Sequence, residues 1–342
     1  SRGLGDVYKR QVVTQSTGAR DTSSRSYRPG SLELLAGLLV LLVIGQRWLV
    51  GLFTQPALQA GATIFVSIIV QALPFLVLGV VLSAAISAFV PTAFWQRALP
   101  KRPALAVPVA SAAGVVLPGC ECASVPVAGA LMSKGVAPAA ALAFLLSSPA
   151  INPIVLVSTF VAFPNQPMMG VGRLVASLAV SIIMGWLWLR FGKGEWLRIP
   201  RRSHLDGETR WQTFRLSATH DFMHAGGFLV IGGLTAAVLN VLVPQGWLQA
   251  IASNPFLSIL GLALLAVVLC ICSEADAFVA ASLGEFSLTA KLAFLVVGPM
   301  VDLKLVALQT GTFGRSFAMR FAPATFVVAI LASVVVGWWL FR

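Results

Sequence analysis

A segment that recurs in register constrains this chain more than any other feature. Residues 117–157 read LPGCECASVPVAGALMSKGVAPAAALAFLLSSPAINPIVLV. At an offset of 150 residues the chain returns to the same design in CICSEADAFVAASLGEFSLTAKLAFLVVGPMVDLKLV. Cys120 falls on Cys270, Cys122 on Cys272, Leu142-Ala143-Phe144-Leu145 on Leu292-Ala293-Phe294-Leu295, Pro149 on Pro299 and Asn152 on Asp302. The echo reaches outward: Phe75-Leu76-Val77 with Gly79 matches Phe228-Leu229-Val230 with Gly232, and Val90-Pro91 matches Val243-Pro244. The chain is therefore a duplicated unit of roughly 130 residues, a pattern common among membrane transporters.

The medium follows from the runs between these motifs. Several apolar stretches exceed the roughly 20 residues that span a bilayer. The chain is 58% hydrophobic and only 11% charged, against about 25% charged in soluble domains. It reads as an all-α polytopic membrane protein. The net charge of +12 is concentrated in a few inter-helix stretches, which speaks for orientation and contact with anionic lipid, with no nucleic-acid partner. All four cysteines lie in the two Cys-x-Cys pairs, so a secreted disulfide framework is disfavoured.

Taken in order, residues 1–30 are polar and basic and read as a disordered cytoplasmic tail. Its opening, SRGLGDVYKRQ, has no apolar core and is read neither as a signal peptide nor as the natural start. An anchor helix over 31–54 has no counterpart in the repeat. Half A, 61–190, starts with a span from about Ala62 to Val90, kinked at Pro74. After a basic loop (Arg97, Lys101, Arg102), two short apolar pieces, up to Leu117 and from Ala123 to Ser133, meet at GCEC. Each piece covers roughly 20 Å, short of a bilayer core of about 30 Å. Spans at 137–163, interrupted at SSPAINP, and at about 169–189 complete the half. A basic linker, 191–215, leads to half B, 216–342, which repeats the plan with spans at about 219–243, 288–313 and 317–340 around a broken segment at 256–284.

Basic loops belong on the cytoplasmic side. The Arg97 loop and the linker share that side only if the GCEC segment enters and returns, or crosses twice in very short pieces. The same rule places residues 244–254 outside and Arg315 and Arg320 inside. The expected architecture is an inverted repeat of broken or re-entrant helices, with an extra N-terminal helix and a cytoplasmic N-terminus.

The chemistry gathers at the breaks, where unpaired backbone groups need protein or a hydrated cavity as partners. Cys120, Cys122, Cys270 and Cys272 are soft ligands for thiophilic solutes or metals; alternatively they are small buried apolar residues. Glu121, Glu274, Asp276 and Asp302 stand at membrane depth, where ionisable groups mark pathways or coupling sites. Lys304 is the evident ion-pair partner for Asp302. Ser147, Ser148 and Asn152 either bind a polar substrate or re-satisfy backbone freed by the prolines. His220, Asp221 and His224 share a helix face and read as an interfacial polar turn rather than a metal site. Trp186, Trp188, Trp338 and Trp339 fit interfacial belts.

CECASVPVAGALMSKGV, LAFLLSSPAINPIVLVSTF, C-SEADAF and LAFLVVGPMVDLKL resemble the YraQ-like predicted permeases, the family that includes the organoarsenical efflux permease ArsP. The resemblance runs from about Phe65 to Phe341. It implies a bacterial inner-membrane permease, with some members exporting trivalent organoarsenicals. Carried over by position, the arsenic-binding thiols are Cys120 and Cys122 with Cys272. Glu121 stands where relatives commonly carry a small polar residue.

The leading reading is a secondary transporter, not an enzyme, with no cofactor and no nucleotide-binding GxxxxGK[ST] sequence. Its partners are the lipid bilayer and a small solute. Cys120, Cys122, Cys272 and Cys270, with Ser148 and Asn152, form the substrate set, and the proton-coupling or charge set is Glu121, Glu274, Asp276, Asp302 and Lys304. Competing readings are a membrane thiol-disulfide protein, a permease for another small anion or sulfur compound, and a component that supports a partner complex.

Overall fold

The computed structural model describes residues 55–91, 94, 99–100, 102–115, 121–198, 209–242 and 254–342. The tail, the anchor helix at 31–54, Cys120 and the loop at 243–253 fall outside them. The described residues form helices and no strand. The first half contains α1 (Pro56–Phe89), α2 (Pro103–Ala113), α3 (Glu121–Ser133), α4 (Pro138–Ile151), α5 (Pro153–Ala162) and α6 (Met168–Phe191). After a 3₁₀ turn at Gly194–Trp196 come α7 (Arg210–Leu242), α8 (Pro255–Leu269), α9 (Asp276–Ser282), α10 (Leu288–Val297), α11 (Leu303–Phe313) and α12 (Arg315–Leu340). The order recurs element for element, and α4/α10 and α5/α11 begin at the 150-residue offset.

Local chemistry sets the helix starts. Pro103, Pro138, Pro153 and Pro255 open their helices, where a missing N–H costs nothing. Asn152 Oδ1 accepts from Val155 N at 3.0 Å, and Asp302 Oδ1 accepts from Leu305 N at 2.6 Å. Each caps the helix that resumes after a break. The matched pair Asn152/Asp302 is thus one device used twice.

Among the described residues, five helical stretches are long and apolar enough to cross a membrane: Pro56–Phe89, Pro138–Ala162, Met168–Phe191, Arg210–Leu239 and Arg315–Leu340. The most apolar stretch of Pro138–Ala162 is 78% buried, against 28–39% in the other four, which makes it the innermost. The protein is an all-α polytopic membrane protein. Helices run past the hydropathy limits: α1 starts at Pro56 instead of near Ala62, and α7 at Arg210 instead of near Thr219. Apolarity marks the lipid-immersed part, whereas the backbone ladder continues through Arg210, Gln212 and Arg215. Glu121 and Cys122, ahead of the apolar piece, are already helical in α3. Trp188 departs from the interfacial belt and packs edge-on against Phe317 and Phe321 between α6 and α12.

The outer helices press on the breaks through small residues. A Cβ on Gly79 would collide with the backbone of Ala123 in α3, and one on Gly232 would lie 2.6 Å from Lys304 Cα in α11. These are the two glycines that the repeat aligns. Across the halves, α3 packs on α11 and α5 on α9, α1 on α7, and α6 on α12. Of the broken-helix elements, α3 and α5 thus rest on α11 and α9 of the opposite half.

Candidate functional site

At the second break, α8 ends at Cys270 in the left-handed conformation (φ 51°, ψ 37°). It is the one non-glycine residue with positive φ among the described residues. Such backbone is costly for a side-chain-bearing residue and persists where its surroundings enforce it. Lys304 supplies part of that enforcement, since its Nζ donates to the Cys270 carbonyl at 2.9 Å. The Cys270 thiol donates to Val267 O at 3.3 Å.

Lys304 is fully buried at the start of α11. Its nearest carboxylate comes from the other half: Glu121 Oε1 lies 2.6 Å from Nζ, whereas Asp302 Oδ2, the partner expected from sequence, lies at 3.4 Å. Cys122 and Cys272 are both buried and within electrostatic reach of this ammonium. The structure therefore brings a thiol from each half to one charged centre, with Cys120 outside the described residues. Glu121 is fully buried and its Oε2 has no hydrogen-bond partner; nor has Glu274 Oε2.

Arg173 is the residue that the sequence reading passed over. It is the sixth residue of α6 and fully buried. Nη1 donates to Asp276 Oδ1 and Nη2 to Asp276 Oδ2, both at 2.8 Å. Nη1 also donates to Thr159 Oγ1 at 2.9 Å and Nη2 to Ser273 O at 3.2 Å. Parallel fork pairing of this kind is the strongest ion-pair geometry that proteins use. The available signal was an arginine inside an apolar span, by itself a functional flag. Its partner, 103 positions away, was not readable from spacing.

Two cations thus face four carboxyl groups, Glu121, Glu274, Asp276 and Asp302. Buried carboxylates in excess of their counter-ions are unfavourable unless they take up protons or a cation. Ser148 and Asn152 are buried beside this centre's other break; Asn152 Nδ2 donates to Ser148 O at 3.3 Å, and Ser147 Oγ returns to Phe144 O at 3.1 Å. Asp221 Oδ2 accepts from Ser83 Oγ at 2.9 Å, and His220 stacks on His224. Among the described residues no three His, Cys, Asp or Glu side chains are grouped to hold a metal ion.

Broken helices meeting around buried charge are a transporter's anatomy, and the family comparison agrees. The ArsP_1 model, described as a predicted permease, matches residues 57–338. The chain belongs to this predicted-permease family. The UPF0718 protein YcgR of Bacillus subtilis is similar at 38% identity over 281 residues, covering 80% of this chain and 96% of that protein. A putative two-component membrane permease complex subunit of Streptococcus mutans is similar at 34% over 283 residues, covering 80% and 94%. No solved structure matches the chain. As a permease of this family, the protein carries its duplicated motif where α3 and α5 of one half meet α11 and α9 of the other.

Proposed function

We propose that this permease is a secondary transporter of the bacterial inner membrane that exports a thiol-reactive small solute, of which a trivalent organoarsenical is the working example, in exchange for protons. The observation that carries the reading is the convergence of Cys122 and Cys272, from different halves, on the Glu121–Lys304 pair. A soft electrophile held by one thiol from each half would feel the halves move. For a dihydroxy arsenical, two As–O bonds give way to two As–S bonds and the thiol protons leave in two waters. Cys120 belongs to the same thiol set by repeat position. Glu121 and Glu274, each with a buried oxygen lacking a hydrogen-bond partner, are the proton carriers. Asp276, matched by Arg173, is a structural anion. Halves 61–190 and 216–342, joined by the linker at 191–215, rock against each other as an inverted repeat, with the N-terminus cytoplasmic.

The test is uptake of trivalent methylarsenical by everted vesicles, with and without a proton gradient, for the parent chain and Cys122→Ser. The expected result is gradient-driven uptake that the variant loses at equal expression. Absence of uptake in the parent would remove the arsenical assignment.

A second reading rests on the relative named as a subunit of a two-component complex. In it, this chain works only with a second membrane subunit. Transport by the purified chain alone in liposomes would exclude it.

A further inference from the structure

The two fully buried cations among the described residues are distributed reciprocally. Lys304, from the second half, holds Glu121 at the start of the first half's α3, and Arg173, from the first half, holds the turn at the second half's break. Arg173 does more than neutralise Asp276. One guanidinium meets both carboxylate oxygens, the Ser273 carbonyl and the Thr159 hydroxyl. Ser273 and Asp276 flank a non-helical turn in which Ala275 N and Asp276 N both donate to Cys272 O. The residue whose carbonyl closes that turn carries one of the two buried thiols that act electrostatically on Lys304.

We propose that Arg173 is a positioning residue for the thiol site: by clamping the Cys272–Asp276 turn of one half to α5 and α6 of the other, it fixes where the Cys272 thiol stands relative to Cys122. The proposal deepens the thiol reading above and rests on it for its transport consequence. Its geometric part stands on the four hydrogen bonds alone. A thiol held in a buried turn reacts only when the turn opens, so the rate of alkylation reports the clamp directly. The relevant change must remove the hydrogen bonds without leaving a buried charge alone. Replacing both members of a buried ion pair by apolar residues of similar size is often neutral for folding. The double variant Arg173→Met/Asp276→Leu meets that need.

The experiment uses the full chain in membrane vesicles with Cys120, Cys122 and Cys270 replaced by serine, so that Cys272 is the one thiol. Alkylation by N-ethylmaleimide is timed in this background with Arg173 and Asp276 intact, in the double variant, and in Arg173→Lys. The expected result is alkylation roughly tenfold or more faster in the double variant, with Arg173→Lys between the two, because an ammonium keeps the charge but cannot reach all four acceptors. An unchanged rate in both variants overturns the clamp. If the double variant fails to reach the membrane, Arg173→Lys decides by the same criterion. Binding of phenylarsine oxide to the chain with all its cysteines separates the two claims. Accelerated alkylation without arsenical binding by the parent chain keeps the clamp and removes the arsenical reading. Arsenical binding with the unchanged alkylation rate does the reverse.

Discussion

Glu121 shows at the scale of one residue how the site could couple protons to movement. One of its oxygens faces Lys304 at 2.6 Å and the other has no hydrogen-bond partner, in a side chain with no solvent exposure. Protonation would remove the anion that draws Lys304 across the halves and leave that ammonium to Asp302 and the Cys270 carbonyl. Glu121→Gln keeps an acceptor for Lys304 while fixing the neutral state. Uptake in everted vesicles is expected to lose its response to an imposed proton gradient while substrate binding persists; a gradient response equal to the parent's would exclude Glu121 as the carrier. Lys304→Met is the harsher change, because two acids lose their cation. It is expected to cost about 3–5 kcal/mol and to be relieved by adding Glu121→Gln, read as thermal stability in detergent. The acids and thiols of this centre were legible as rare residue types in apolar sequence. Of their pairings only Lys304 with Asp302 was legible. Asp302 is Lys304's neighbour in the chain, but Glu121 is closer because α3 and α11 pack across the halves, and Arg173 reaches its partner through the same cross-packing.

The breaks are the elements that matter, and they were the best-marked features in the sequence because proline, glycine and capping residues act locally. Asn152 and Asp302 occupy aligned positions and do the same job, capping α5 and α11. The labour on top of the cap is divided unequally: Asp302 also stands 3.4 Å from Lys304, the pair that their spacing suggested, whereas the aligned position of Lys304 in the first half is Ile154. Asn152→Ala should therefore cost about 1 kcal/mol, the ordinary value of a cap. Asp302→Ala removes a cap and a buried anion together, so its effect should exceed that of Asn152→Ala and depend on whether Lys304 is present. Thermal unfolding of the two single variants, and of each with Lys304→Met, tests this. Equal losses in both halves would mean that Asp302 acts only as a cap. Gly79 and Gly232 belong to the same scale: the repeat aligned them, and packing explains why, since each lies where an outer helix touches an element that begins at a break.

For the whole molecule the relative orientation of the halves in the membrane decides how they can move. Two contacts already bear on sidedness: Arg198 N donates to Phe313 O at 2.9 Å, and the Arg320 guanidinium sits 4.7 Å from the centre of the Trp196 ring. The start of the linker and the turn between α11 and α12 therefore lie at one end of the bundle, as the positive-inside rule requires of two basic segments. If the halves are inverted, the turn between α3 and α4 should lie on that cytoplasmic side and the turn between α9 and α10 on the opposite side. Lys134 and Glu285 mark these turns. In a cysteine-free background, Lys134→Cys should react with a membrane-impermeant maleimide only in inside-out vesicles, and Glu285→Cys only in intact cells or right-side-out vesicles. Reaction of both from one side would make the halves parallel, and rocking of inverted halves would then be the wrong description of transport. The test does not depend on whether each break is a hairpin or a pair of short crossings, since both return the chain to the side from which it came. That independence makes it the appropriate measurement at this scale: it isolates the symmetry of the halves from the path of the chain within them.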